Sequence, residues 1–245
     1  MSDWMLFTVA PYAAALGFLM VSIFRLVVVE PPPINGDRAP SREHLRIRAV
    51  VGVCALALVA GHLLLVLAPD AVLRWNRHAS RLLLLEASIF GPGVVCSIAV
   101  IARLWRHLFE RTRDADRSVA DTVMLTLVAI EVVSGVALAV GYRWASSWSV
   151  VTLTPYAVSL VRFAPRLELV SATPFVVRLH VFCTFAIVAL LPFTPVGSRV
   201  LVAIKRAVDG VATPLSRAFG PVRARIEDPV VRILRSRAIW GEEEN

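Results

Sequence analysis

Charge is the first thing this sequence is short of. Only 18% of its 245 residues are charged and 57% are hydrophobic, with a mean hydropathy of +0.70. A soluble domain carries about a quarter charged residues and nearer half apolar ones, so this balance excludes an ordinary water-soluble globule. Cysteine is scarce as well: Cys54, Cys96 and Cys183 stand far apart, without CxxC spacing. A disulfide framework is excluded, and the three read as small buried hydrophobes. Internal repeats, low-complexity segments and a catalytic nucleophile are all missing from the pattern. Residues Met1 to Met5 lack the basic n-region of a cleavable signal peptide. The apolar run that follows is therefore expected to remain as a span.

What is present is a set of long apolar runs. A bilayer core about 30 Å thick takes roughly 20 apolar residues of helix to cross. Five stretches qualify, at about 5–29, 49–68, 82–102, 119–141 and 174–196. In hydrocarbon the backbone amides must pair within their own segment, so helices are the expected form. The fold class is thus all-α: an integral membrane bundle of five transmembrane helices over residues 1–198, with a cytoplasmic amphipathic tail over 199–245. Basic residues set the expected orientation. The segments Arg25 to Arg48, Arg103 to Arg117 and Arg199 onward hold 19 of the 26 Lys and Arg residues. Under the positive-inside rule those segments are cytoplasmic. The N-terminus then lies outside and the C-terminus inside, in a multi-pass protein of the cell inner (plasma) membrane. The pI of about 10.6 follows from this topology and from anionic lipid, with no nucleic acid partner required.

Breakers divide the remainder. Pro31-Pro32-Pro33 and Asn35-Gly36 end the first helix. Between the fourth and fifth runs, Trp144, Trp148, Tyr156 and Phe163 suit the headgroup zone, and 155–163 is expected to form a short surface helix. The tail reads as amphipathic helices interrupted at Gly210, Pro214, Gly220 and Pro221, with Asp228-Pro229 as a helix start. Its two readings are lipid-surface binding and docking to a cytoplasmic partner.

Two of the five histidines fall inside the runs. His62 lies seven residues before Pro69, and His180 six residues after Pro174. At 1.5 Å per residue both sit roughly 10 Å below the outer surface. A histidine within a span is expensive and usually functional. Two neutral imidazoles at one depth on separate helices can grip a flat macrocycle from both sides, as axial ligands of one haem b. The alternative is that each hydrogen-bonds across the bundle. Gly61 would leave space for a ring edge, and Arg178 would pair with a haem propionate or with lipid phosphate. His78 shares an outer loop with Arg74, Arg77 and Arg81. That basic cluster is suited to propionates, to a quinone carbonyl or to lipid phosphate. Glu86, one turn into the third helix, is placed to accept a proton from a quinol. Glu131, mid-span in the fourth, is a proton relay or a packing contact. His44 and His107 are expected to be solvated in cytoplasmic loops.

Several short stretches, in order, resemble a known family. They are Pro11-Tyr12 through Arg25, Gly61-His62, Gly93-Val94-Val95-Cys96, the segment from Arg117 to Gly135, Arg178-Leu179-His180 and Leu191-Pro192-Phe193. Their spacing resembles the gamma subunit of respiratory nitrate reductase, a membrane cytochrome b that oxidises quinol. The resemblance implies two haems between the second and fifth helices, one near each face. His62 and His180 fall on the ligands of the outer haem. The inner haem needs a histidine ten residues before the first ligand and another eighteen after the second, where this chain has Gly52 and Ser198. Neither can ligate in that manner, so the chain is expected to be a divergent member that lacks the inner haem. The family's basic residue at the quinol site falls near Arg81. Partners implied are an iron–sulfur electron-transfer subunit and a catalytic subunit, with quinone or quinol as substrate.

The resulting expectation is a membrane-anchoring electron-transfer subunit of a multisubunit oxidoreductase. Quinol would bind between His78, Arg81, Glu86 and His62. A haem-free anchor is the first alternative, and cytochromes b of heterodisulfide-reductase-like or hydrogenase complexes are alternative kin. A small transporter fits less well, because no helix is broken at its middle as transporter sites require, Pro92 coming nearest.

Overall fold

The five apolar runs all fold as helices, and their ends fall where backbone chemistry changes. In this computed structural model the described residues are 3–28, 42–109, 119–194, 197 and 201–202. The chain divides into two units, Met1–Ser198 and Arg199–Asn245, and the description below concerns the first. A π-helical turn, Met5–Val9, runs into α1 (Ala10–Val28). Then follow α2 (Arg42–Leu67), α3 (Pro69–Trp75), α4 (Ala79–Phe109) and α5 (Val119–Gly141). The last are α6 (Ala145–Val161), α7 (Glu168–Ser171) and α8 (Phe175–Leu190), closed by a 3-10 turn at Leu191–Phe193. Among the described residues, five helices are long and apolar enough to cross a membrane: Met5–Arg25, Arg46–Leu67, Ala79–Phe109, Val119–Gly141 and Phe175–Phe193.

Local chemistry accounts for the boundaries. Pro69 occupies the first turn of α3 with Asp70 beside it, a favourable helix start after the chain turns at Ala68. Asn76 closes that helix through its N–H on the Val72 carbonyl at 2.9 Å. Helix α8 starts after Pro174 and tightens into its 3-10 turn at Pro192. Pro92 lies inside α4 without interrupting it, as neighbouring helices in an apolar bundle allow. Small residues bring helices together: a methyl group on Gly93 would meet Val136 of α5 at 3.4 Å.

Helix α5 is central, packing against both α4 and α8, while α2 lies on α4 and α6, and α1 on α8. At the end of the bundle that holds the N-terminus, Phe7, Tyr156, Leu160 and Val170 form a buried cluster, joined by Tyr12, Val181 and Phe182. The Tyr156 hydroxyl donates to the Phe7 carbonyl at 2.7 Å, and the Tyr12 hydroxyl to that of Leu160 at 3.0 Å. Burial pushes the Tyr156 phenol further above its ordinary range, which keeps it a neutral donor. Phe163 adopts a left-handed backbone, φ 55, and stacks on Tyr12 at 5.7 Å. A left-handed aromatic residue is unfavourable, and this stacking holds it.

Three expectations change. The surface helix expected at 155–163 is the longer α6, and Tyr156 faces the core, 2% exposed, where an interfacial aromatic had been expected. Helix α6 begins at 145 because Trp144 turns through a left-handed conformation, φ 65. His107 lies within α4, where its Nε2 meets the Thr122 hydroxyl at 2.8 Å. The loop expected from Arg103 thus starts later, since Arg and Leu sustain a helix beyond the apolar zone. The breakers Pro31 to Gly36, the His44 side chain, Ser198 and the tail signals at Gly210, Pro214, Gly220, Pro221 and Asp228-Pro229 lie outside the described residues.

Candidate functional site

His62 on α2 and His180 on α8 come together. Their ring centroids are 6.1 Å apart and their planes differ by 34°. The two helices are not each other's main packing partners. Helix α2 is the span least enclosed by protein: its most apolar stretch holds no buried residue. The imidazoles therefore meet across a seam in the bundle.

Hydrogen bonds decide which nitrogens face that seam. Nδ1 of His62 lies 2.8 Å from the carbonyl of Leu58, one turn back on its own helix. Nδ1 of His180 lies 3.1 Å from the carbonyl of Glu131 and 3.0 Å from the Ser134 hydroxyl, both on α5. A carbonyl oxygen can only accept, so both contacts require the Nδ1–H tautomer. The lone pair of each ring then sits on Nε2. This is the second-sphere pattern of metal-bound histidine, whose other nitrogen donates to a carbonyl or carboxylate. Two metal–imidazole bonds of about 2 Å each, with ring centres roughly 1 Å behind the nitrogens, put the centroids about 6 Å apart. The observed separation and donor set fit a bis-imidazole centre.

A mid-span polar group accompanies the pair. Glu131 Oε1 accepts the Thr184 hydroxyl at 2.7 Å and lies 3.5 Å from His180 Nε2. Its Oε2 is buried without a hydrogen-bond partner. Ser134 Oγ donates to the Glu131 carbonyl at 2.9 Å, which leaves its lone pairs for the His180 N–H. Gly135 packs against the ring itself: a methyl group there would meet His180 Cε1 at 3.1 Å.

The other expected site residues are placed separately. Arg178 Nη1 lies 3.6 Å from Asp3 Oδ1, while its Nε is buried and without a partner. That remaining donor suits an anionic group. Gly61 faces Ile89 of α4, where a methyl group would stand 3.1 Å from Cγ1. Its missing side chain thus serves the approach of α2 to α4. Arg81 stacks over Trp75, 5.4 Å from the ring centroid, and its carbonyl accepts the Trp75 indole N–H at 2.9 Å. His78 is exposed just before α4. Glu86 turns to α6, where its Oε1 accepts the Ser146 N–H at 2.8 Å and the Ser146 hydroxyl at 2.6 Å.

A family model described as nitrate reductase gamma subunit matches residues 3–204. The chain belongs to the nitrate reductase gamma subunit family. A search of curated proteins finds no significant match. Membership makes the chain a gamma-like membrane subunit, by family a quinol-oxidising cytochrome b anchor that works with other nitrate reductase subunits. With its five apolar helices it is a multi-pass membrane protein.

Within this gamma-family bundle, the sequence reading missed Ser134, Gly135 and Thr184. A usable signal existed. Glu131, Ser134 and Gly135 stand at i, i+3 and i+4, and His180 and Thr184 at i and i+4, so each set shares a helix face. Small or polar residues repeating on one face of an apolar span mark a polar seam.

Proposed function

We propose that this gamma-family chain anchors a multisubunit oxidoreductase in the plasma membrane and passes electrons from quinol through one b-type haem held by His62 and His180. The carrying observation is the 6.1 Å imidazole pair with both Nδ1 atoms committed to carbonyls. Bound there, haem would supply reversible one-electron chemistry at iron. His62 and His180 would hold it through their Nε2 nitrogens, and the protein would supply orientation and an apolar surround. Arg178, with an unpartnered buried Nε, is the candidate for a propionate.

In this reading the N-terminus is outside, residues 1–198 form the membrane domain and residues 199–245 a cytoplasmic amphipathic tail, as the basic-residue distribution favours. The tail faces the iron–sulfur partner, which the catalytic subunit completes. Quinol binds at the corner of α3 and α4, near His78 and Arg81. The stacking of Arg81 on Trp75 holds a cationic donor ready for a quinone oxygen. Glu86 closes the same corner by tying it to α6, and accepts a quinol proton in this proposal. Gly52 and Ser198 stand where inner-haem ligands would be, so this chain is proposed to be a one-haem member.

A reduced-minus-oxidised spectrum with haem-to-protein stoichiometry tests this. The native chain is expected to bind one haem, and His62→Ala or His180→Ala to lose it. A ratio near two overturns the single-haem reading, and a native protein without haem sinks the cytochrome reading. One contact favours a haem-free anchor instead: Glu131 Oε1 lies 3.5 Å from the nitrogen that would bind iron. The same spectrum separates the two.

A further inference from the structure

His180 and His62 are held in different ways. His62 is tied only to its own helix, whereas His180 is held by α5 through three features at once. Its Nδ1–H is shared between the Glu131 carbonyl at 3.1 Å and Ser134 Oγ at 3.0 Å. The Ser134 proton is already donated to that carbonyl at 2.9 Å, so the hydroxyl presents a lone pair to the ring. Beside the ring, Gly135 allows a close approach: an added Cβ would stand 3.1 Å from Cε1, so the ring would have to give by a few tenths of an ångström. A side chain mobile about χ1 and χ2 is thereby held through Nδ1, with Nε2 3.5 Å from Glu131 Oε1 and the His62 ring 6.1 Å away across the seam.

We propose that Ser134 and Gly135 are positioning residues for the haem centre: with the tautomer of His180 fixed by the Glu131 carbonyl, Ser134 supports that N–H and raises the ring's basicity, and Gly135 sets the plane of the ring. This deepens the haem reading above and rests on it. Ligand electronics give the direction. A hydrogen bond accepted from Nδ1–H gives the imidazole partial imidazolate character and raises its basicity. A more basic ligand favours ferric over ferrous iron, so the Ser134 contact lowers the midpoint potential. Removing the hydroxyl leaves the carbonyl as sole acceptor, at the long end of hydrogen-bond distance.

The test uses the full-length protein in detergent, with haem content, an optical redox titration and the low-spin ferric EPR spectrum as readouts. Ser134→Ala is expected to raise the midpoint potential and to weaken haem retention about tenfold. Ser134→Thr, which keeps the hydroxyl, is expected to match the native potential. Gly135→Ala is expected to rotate the ring and shift the ferric g-values. Ser88→Ala, whose hydroxyl bonds only Leu85 of its own helix at 2.8 Å, serves as the unchanged control. If Ser134→Ala binds no haem, native haem content in Ser134→Thr supports the proposal, and loss in both overturns it. Native potential and g-values in both Ser134→Ala and Gly135→Ala, at full haem content, also overturn it. A native protein without haem fails the underlying reading instead, so the two failures are distinguishable.

Discussion

A single hydroxyl in the N-terminal cluster shows how residue-scale chemistry supports the site from a distance. Tyr156 reaches Phe7, and the two lie on segments that flank α8, the helix of His180. Tyr156→Phe keeps the ring in its cluster but leaves the Phe7 carbonyl without its partner in a buried place. An unsatisfied buried group costs about 1–3 kcal/mol, so the variant is expected to melt several degrees lower in detergent with its haem content unchanged. Equal melting temperatures would show that the carbonyl finds another donor. The residues of the seam differ in how legible they were. His62 and His180 could be found from sequence because imidazole is rare in a span and depth follows from counting residues. Ser134 and Gly135 share a helix face with Glu131, a pattern visible in the sequence, but their meaning depends on how α5 is rotated against α8. That rotation is set by packing, not by either segment's own pattern.

At the scale of elements, α6 illustrates what hydropathy misses. Its 17 residues mix serines and threonines among valines and leucines and are too few to read as a span. Its start depends on a left-handed Trp144, a conformation that no propensity announces. Its first turn is then fixed from outside: Glu86 of α4 takes the Ser146 N–H and hydroxyl, and Asn76 donates to the Ser146 and Ser147 hydroxyls at 3.0 and 2.9 Å. A carboxylate on exposed helix N–H groups is favourable for charge as well as for hydrogen bonding. Glu86 thus has a structural duty beside the proposed proton-accepting one, and two substitutions separate them. Glu86→Ala removes the cap and is expected to cost about 1–2 kcal/mol, read as a lower melting temperature. Glu86→Gln keeps an acceptor oxygen for Ser146 but cannot take a proton. It is expected to keep most of the stability while slowing haem reduction by added quinol. If Glu86→Gln reduces haem at the native rate, Glu86 is a cap alone.

Across the whole molecule the five-span architecture was the most legible feature, since long apolar runs have few other solutions. At this scale the path inward turns on position 52. Ten residues of helix separate Gly52 from His62, about 15 Å along the axis, or roughly half the hydrocarbon thickness. Under the one-haem proposal, a centre near one face leaves a long gap to a partner on the other. Two properties of position 52 bear on whether the gap is a loss of ligands or a loss of space. Glycine offers no nitrogen, yet a methyl group built there would meet nothing within 4 Å. Position 52 thus has room for a side chain, and the one-haem proposal attributes the gap to the missing ligands. Restoring both nitrogens, as Gly52→His with Ser198→His, is therefore expected to raise haem per protein from one toward two. A second midpoint should then appear in the redox titration. Each single variant, with one ligand only, is expected to stay at one. A double variant that also stays at one, with the His62–His180 haem intact, would mean that this part of the bundle has closed around other contacts. Inward electron transfer would then need a relay supplied by the partner.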